Sequence, residues 1–270
     1  MNRLEAIRKR RSVRAFDGRK VTEEELKKIL EFAEKVENPY DIPITFKLLD
    51  LKKDRLSVPV ISGTDTYIAG KMKKLPQAEE AFGYTFEMIV LFAESLGIGT
   101  TWIAGTMDRG AFERAMELKE DEVMPCVSPL GYPAKKMSLK ETIMRKGVKA
   151  DTRLGFNELF YQNDFDHPLS EEQVTDDVRE ILEMIRLAPS AVNKQPWRVI
   201  LKDNRVHFYE YKSKGFKNDS NWDIQKIDMG IALCHFAVAA REKGLSPAFV
   251  LDDAPQVKDQ HLRYIASYVI

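Results

Sequence analysis

The sequence has few residues that could cross-link the fold or ligate a metal, with two cysteines and four histidines among 270 residues. Cys126 and Cys234 lack the paired spacing of a disulfide framework or a zinc site. The histidines show no metal-ligand spacing either, and no G-x-S-x-G segment indicates a serine hydrolase. The sequence therefore predicts neither a metal site nor a serine nucleophile.

An excess of one charge and a long apolar run are also missing. Lys and Arg (42) balance Asp and Glu (42), so no global field favours nucleic acid or an anionic membrane. The most apolar stretch, residues 229–240, is too short for a bilayer core of roughly 30 Å. The first residues contain no apolar segment typical of a secretory signal. We expect a cytoplasmic globular protein without nucleic-acid or membrane partners.

Two segments of similar design predict helix starts in the two halves of the chain. A capping box is formed by Thr22 with Glu25 in one half and by Ser170 with Gln173 in the other. Each is followed by apolar residues at helical spacing, which predicts an amphipathic helix.

The order of the later elements is also repeated between the halves. Strands are predicted from Ile44 and from Trp197, the latter continuing through a hairpin. Longer helices over 81–96 and 228–243 end at glycines, and further strands include 100–105 and 123–133 in the first half. Equivalent elements are separated by roughly 140–153 residues, which is about the length of one domain. We predict an α+β fold of two similar halves, 1–150 and 151–270, packed as a pseudo-dimer. The alternative is two α/β units that share only an element order.

A cluster of fixed positive charge occupies residues 10–16 (RRSVRAF). The guanidinium groups of Arg10, Arg11 and Arg14 stay charged and can donate in parallel to a phosphate, and Ser12 can add a hydroxyl. The alternative is a solvated basic helix end.

A polar loop at residues 189–197 (PSAVNKQPW) separates a helix from a strand. Pro189 ends the helix, and the small Ser190 and Ala191 let backbone approach a flat ligand. Asn193 can donate and accept, which suits a ring edge with alternating N–H and C=O groups. Structural roles are the alternative for Gln195 and Trp197, and likewise for Phe82, Tyr84 and Trp222, which could otherwise line a pocket.

Four motifs together resemble the nitroreductase family of FMN oxidoreductases. They are RRSVRAF, the PSAVNKQPW loop, residues 96–105 (LGIGTTWIAG) and residues 130–133 (LGYP). The resemblance spans most of the chain. In that family all four motifs occur in one subunit, and two FMN molecules lie at the interface of a homodimer.

This sequence divides the motifs between its halves. The first half keeps the arginine motif, WIAG and GYP, but has VENPYDIP (36–43) in place of the asparagine loop. The second half keeps that loop, but has no arginine cluster or GYP. The resemblance thus implies a fused dimer with one complete FMN site, and we expect a monomer.

The resemblance also implies residue roles. Arg10, Arg11 and Ser12 would bind phosphate, Arg14 would lie near the ring or ribityl chain, and backbone of Ala104 and Gly105 would approach the ring edge that carries N5. The other wall would be Pro189, Ser190, Ala191 and Asn193. A further phosphate-binding residue is expected after GYP: Arg153, with Lys149 and Arg145 as rivals.

The resemblance implies an FMN-dependent NAD(P)H oxidoreductase that reduces a small planar acceptor such as a nitroaromatic or a quinone. Catalytic side chains are not required, because the flavin carries the chemistry. NADH and NADPH remain equal alternatives for the transient reductant. Two other hypotheses are a flavin-binding or ligand-sequestering protein without turnover, and a two-lobed scaffold without a cofactor.

Overall fold

The computed structural model describes residues 1–212, 222–251, 254–255 and 257–270, and only the backbone of 139–140. Its α-helices are α1 (Arg3–Lys9), α2 (Glu23–Ala33), α3 (Ala78–Ser95), α4 (Arg109–Ala115), α5 (Leu139–Gly147), α6 (Phe156–Leu159), α7 (Asp176–Arg186) and α8 (Ile224–Glu242). Its strands are β1 (Ile44–Asp50), β2 (Thr66–Lys73), β3 (Glu122–Val123), β4 (Val127–Pro129), β5 (Phe160–Gln162), β6 (Trp197–Lys202), β7 (Arg205–Tyr211), β8 (Ala248–Val250) and β9 (Leu262–Val269).

Two separate sheets divide the strands between the two halves of the sequence. In the first, β2 pairs antiparallel with β1 on one side and with β3 and β4 on the other. In the second, the order is β5-β6-β7-β9-β8, antiparallel except for the β5–β6 pair. Helices cover largely antiparallel sheets, so the predicted α+β class is confirmed. The order helix–strand–strand–helix recurs as α2-β1-β2-α3 and α7-β6-β7-α8.

Predicted helix starts are right in one half and wrong in the other. At α2 the Glu25 carboxylate accepts the Thr22 N–H at 3.0 Å, and the Glu25 N–H donates to Thr22 Oγ1 at 3.2 Å. The Ser170 N–H also bonds Gln173 Oε1, at 2.7 Å, but this box closes only a 3₁₀ turn over Glu171–Gln173. The α-helix begins later, because the Thr175 side chain caps α7.

The predicted strand at 100–105 is also wrong. This segment makes only isolated bridges, from Thr100 to Ser12 and from Ile103 to Val127. The predicted strand at 123–133 is reduced to β3 and β4, with an interruption between them. Residues 123–131 are buried throughout, and Thr100, Thr101 and Ile103 are buried as well. Buried positions alone therefore did not distinguish a strand from an irregular segment packed in the core.

The helices α3 and α8 cross at the centre of the molecule, where glycine permits a backbone contact. A Cβ at Gly83 would lie 2.1 Å from the Ile227 carbonyl oxygen, and one at Gly230 would lie 2.0 Å from the Glu80 carbonyl oxygen. Gly83 and Gly230 are 147 positions apart, as are Glu80 and Ile227. Each contact is thus the counterpart of the other, as in the self-complementary interface of a two-fold dimer.

The main hydrophobic core surrounds this crossing and draws side chains from both halves. Helix α1 contacts α3, α7 and α8, so the arginine segment that follows α1 is fixed beside the crossing. The prediction that both long helices end at a glycine is confirmed, since Gly97 (φ 75°) and Gly244 (φ 78°) adopt the left-handed conformation. In the part of the chain that the structure describes, no helix is long and apolar enough to cross a membrane.

Candidate functional site

The main cavity lies beside the α3–α8 crossing and has a volume of about 620 Å³. This is within the range of roughly 300–1,000 Å³ found for small-molecule sites. All eleven residues proposed from the sequence line it: Arg10, Arg11, Ser12, Arg14, Ala104, Gly105, Arg153, Pro189, Ser190, Ala191 and Asn193. The structure therefore brings together four segments that are far apart in the sequence: 10–14, 104–105, 153 and 189–193. Of the two rivals of Arg153, Arg145 lines the cavity and Lys149 does not.

Arg10 lies at the inner end of the arginine cluster and is not a solvated helix end. Its side chain is only 6% exposed, and its Nε is 3.5 Å from Glu87 Oε1. That separation is too long for a hydrogen bond, and Nε has no hydrogen-bond partner among the described residues. The carboxylate thus balances the charge of Arg10 but leaves its hydrogen-bonding capacity free.

Glu87 is fully buried in α3 and gathers donors from both halves. Trp102 Nε1 donates to its Oε2 at 2.9 Å, and His235 Nε2 is 3.0 Å from its Oε1. His235 Nδ1 lies 2.8 Å from the Met184 carbonyl oxygen, which can only accept, so Nδ1 carries a proton. This network fixes Arg10 from behind, across the helix crossing.

Arg11 pairs with a second buried carboxylate, Glu141 at the start of α5, whose charge also acts on Arg14. Arg11 Nη1 donates to Glu141 Oε1 at 2.9 Å, and Glu141 is 1% exposed. Burial lowers the pKa of Arg14, with Glu141 opposing this and Arg145 adding to it. An arginine still keeps its charge at neutral pH. Among the described residues, the side chain of Arg14 makes no ion pair and no hydrogen bond. The positive charge of Arg14 therefore faces the cavity without a direct partner.

Arg153 connects the segment after α5 to the asparagine loop. Its Nη1 donates to the carbonyls of Ala150 and Thr152, at 3.0 and 2.8 Å, and lies 3.4 Å from Asn193 Oδ1. Its Nε is buried without a partner among the described residues. Burial lowers the pKa of Arg153, and the neighbouring charge of Arg10 lowers it further. Two guanidinium groups thus repel each other at one end of the cavity.

The asparagine loop is held in shape by side chains beneath it. Both carboxylate oxygens of Asp228 accept the Ala191 N–H, at 3.0 and 3.1 Å. Val192 (φ 45°) and Asn193 (φ 58°) have left-handed backbone, a costly conformation for a β-branched residue such as valine. Burial raises the pKa of Asp228 well above its usual range. The amide of Asn193 donates to the carbonyls of Lys149 and Thr152 and so closes the loop onto the basic segment.

The residues for which structural roles were the alternative take those roles. Gln195 accepts the Leu154 N–H at 2.9 Å, and Trp197 is fully buried at the start of β6. Phe82 and Tyr84 belong to the core, and Trp222 packs over the Arg109 guanidinium at 5.5 Å.

The WIAG segment forms another wall of the cavity. Ala104, Gly105 and Cys126 all line it. Burial raises the pKa of the Cys126 thiol, so it remains protonated and is not a nucleophile. Within the described ranges, no group of three His, Cys, Asp or Glu side chains could hold a metal ion.

Sequence reasoning missed four residues that shape this site: Glu87, Arg109, Asp228 and His235. Three of them interrupt apolar helices, and a charged or polar residue on an otherwise buried helix face was the signal available. Arg109 gave no such signal, because its partners are backbone carbonyls.

Comparison with known proteins places the chain in a family. The family model described as "Putative TM nitroreductase" matches residues 2–240. A crystal structure described as a "putative nitroreductase" from Thermotoga maritima MSB8 is 24% identical, with 100% of this chain and 94% of that chain covered and a TM-score of 0.64. This likeness confirms the nitroreductase fold.

Two further solved structures match about half of the chain. A nitroreductase family protein from Clostridium difficile 630 is 20% identical, covering 58% of this chain and 96% of its own, with a TM-score of 0.46. An FMN-dependent nitroreductase from Clostridium difficile R20291 is also 20% identical, covering 52% and 94%, with a TM-score of 0.43. No curated protein matches the sequence. With the family model covering most of its length, the chain belongs to the nitroreductase family of oxidoreductases.

Proposed function

We propose that this chain is an FMN-dependent NAD(P)H oxidoreductase that reduces small planar acceptors such as nitroaromatics or quinones. The observation that carries the proposal is one cavity whose lining includes two arginines, Arg10 and Arg153, with Nε donors that have no hydrogen-bond partner among the described residues, together with a loop of small residues. Membership of the nitroreductase family supports the same chemistry.

The basic end of the cavity fits a phosphate. Arg10 Nε and Arg153 Nε are buried donors without hydrogen-bond partners among the described residues, and the two side chains repel each other. A phosphate dianion between them would relieve the repulsion and accept charge-assisted hydrogen bonds. Ser12 lines the same cavity and can add a hydroxyl, whereas Arg11 already bonds Glu141.

The rest of the lining fits a flat ring. Pro189, Ser190 and Ala191 present little side-chain bulk, and Ala104 and Gly105 line the same cavity. When bound, FMN supplies the redox chemistry, taking a hydride from NAD(P)H and passing electrons to the acceptor. The chain holds and orients the ring, and the charge of Arg14 favours negative charge that develops there on reduction.

All the proposed cofactor residues belong to one chain, although they come from both halves of its sequence. In particular, Arg10 and the 189–193 loop line the same cavity without a second copy. We therefore propose that a monomer binds FMN, with 1–150 and 151–270 acting as the two halves of a fused dimer.

Arginine substitutions test the cofactor site. Arg10→Gln or Arg153→Gln should weaken FMN binding by about 10–100-fold each, since a hydrogen bond to a charged group contributes about 1.5–3 kcal/mol. The dissociation constant can be followed by quenching of flavin fluorescence. Arg179→Gln, an exposed arginine on α7, is the matched control and should bind FMN normally. Unchanged affinity in both cavity variants would contradict the assignment.

Anaerobic mixing distinguishes an enzyme from a flavin carrier. We expect the yellow colour of the bound flavin to bleach on addition of NADH or NADPH, and to return when a quinone or nitroaromatic is added. A flavin that stays oxidised with both reductants would favour the sequestering protein. Protein that remains colourless with added FMN would favour a scaffold without a cofactor.

A further inference from the structure

Arg109, at the start of α4, binds the backbone behind the WIAG wall of the cavity. Its Nη2 donates to the Ala104 carbonyl at 2.5 Å and to the Pro125 carbonyl at 3.0 Å, while Nη1 donates to the Met124 carbonyl at 2.5 Å. One guanidinium thus joins two separate segments of the chain at three carbonyl oxygens. Its planar, forked shape suits this arrangement, which a lysine ammonium could not reproduce.

The bond to Ala104 fixes the direction of the next N–H group. The Ala104 carbonyl and the Gly105 N–H belong to one peptide unit, which is trans, so they point in opposite directions. With the carbonyl held toward Arg109, the N–H lies on the opposite edge of the peptide unit and points away from Arg109. Gly105 itself lines the cavity, and a Cβ built on it meets nothing within 4 Å.

Among the described residues the Gly105 N–H makes no hydrogen bond to backbone or side chain, whereas the Ile103 N–H two positions earlier bonds the Val127 carbonyl at 2.9 Å. A positive charge on the carbonyl end of a peptide polarises the unit, so the N–H end becomes a stronger donor.

We propose that Arg109 is a positioning residue that aims and strengthens the Gly105 N–H as a donor to an acceptor atom on the ring edge of the flavin. This inference rests on the proposed function, since it assumes that a flavin ring occupies the cavity. Arg109 does not line the cavity, so it acts through the peptide and not by contact with the ligand. Trp222 packs over the guanidinium and Glu113 lies 3.7 Å away, and both hold it in place.

The experiment is an FMN titration of ¹⁵N-labelled protein, followed at the amide of Gly105. In the wild type we expect a downfield shift of this amide proton on saturation, the signature of a new hydrogen bond. In Arg109→Gln we expect less than half of that shift, and FMN binding weakened by about tenfold, equivalent to about 1.4 kcal/mol. Arg114→Gln, an exposed arginine on the same helix, should match the wild type.

Arg109→Lys addresses the case in which the Gln variant does not fold. Lysine restores the charge but not the fork, so the Gly105 shift should remain smaller than in the wild type even when the melting temperature is restored. A wild-type Gly105 shift and wild-type FMN affinity in either folded Arg109 variant would overturn the inference and leave the proposed function intact. A wild-type protein that does not bind FMN would overturn the proposed function itself.

Discussion

The two ends of the α3–α8 crossing are built from equivalent positions but contain different side chains. In α8 the positions beside the cavity are Ile224, Ile227, Asp228 and Ile231. In α3 the positions 147 residues earlier are Gln77, Glu80, Ala81 and Tyr84. The last three are buried, and Ala81 and Tyr84 are core residues. The backbone thus keeps a two-fold arrangement while the side chains leave space at one end and fill it at the other.

The loops at the two ends differ in the same way. Asn193 closes a polar loop over the cavity, whereas VENPYDIP packs the partly buried Tyr40 against the core. The Tyr40 ring contacts Phe249 edge-on, with centroids 4.8 Å apart, and Phe249 contacts Tyr268 in turn. Burial raises the pKa of Tyr40 and of Tyr268 well above the usual value. Aromatic packing therefore occupies the end where the sequence lacks the arginine motif and the asparagine loop.

Reciprocal substitutions on the two helices give the largest expected effect. Tyr84 is the counterpart of Ile231, and its side chain lies in the core. Ile231→Tyr puts the same side chain into the cavity, so FMN binding should fall by more than about 100-fold. Tyr84→Ile should lower the melting temperature, since it removes a buried aromatic and a 3.3 Å contact with Arg241. Its affinity for FMN should remain that of the wild type, and both changes can be measured by calorimetry.

The opposite result for the two variants would contradict this difference between the two ends of the crossing. Loss of FMN binding in Tyr84→Ile, with normal binding in Ile231→Tyr, would place the ligand at the other end of the crossing.

Glycine substitutions at the crossing test whether the two halves are equivalent there. Gly83→Ala and Gly230→Ala should each lower the free energy of unfolding by about 1–3 kcal/mol, because the new methyl group meets a backbone carbonyl. Gly147→Ala is the control, since a Cβ there meets nothing within 4 Å. Chemical denaturation measures all three. A cost confined to one of the crossing glycines would argue against a symmetric contact.

A pH-dependent effect is predicted for Glu80, which lies at the filled end. Burial raises the pKa of Glu80 to about 7, and Oε2 has no partner among the described residues. The folded state therefore favours the neutral form of Glu80. This preference stabilises the fold below the ordinary pKa of a glutamate and is lost as the pH rises through about 7. Glu80→Gln should therefore be more stable than the wild type at pH 8, by up to about 3 kcal/mol, and nearly equal at pH 4.5.

Thermal melts at several pH values measure this difference. Glu31→Gln, at an exposed position on α2, should change stability little at any pH. If the stability advantage of Glu80→Gln does not grow between pH 5 and pH 8, Glu80 is not a buried carboxyl group with a raised pKa.

The sequence predicted the cavity segments better than the elements around them. Arg10 and the 189–193 loop carry their chemistry in the side chains and in local backbone preference, which a sequence displays directly. The start of α7 was misplaced because Ser170 and Thr175 both precede suitable capping patterns, and tertiary packing decides between them.

The partners of the motif residues could not be predicted. Glu87 meets Arg10 and His235 only because α1, α3 and α8 pack together, and their sequence separations carry no local signal. The same applies to Arg109, whose three backbone acceptors belong to two segments that fold side by side. The motifs identified residues that line the cavity, and the fold determined what holds them.

The central claim is that one cavity, completed by both halves of a single chain, binds one FMN. Native mass spectrometry of the protein saturated with FMN tests this directly, because it reports the number of chains and of flavins in the same particle. We predict one FMN on one chain, and no flavin on Ile231→Tyr. Two flavins per chain, or flavin bound only to a dimer, would contradict the account.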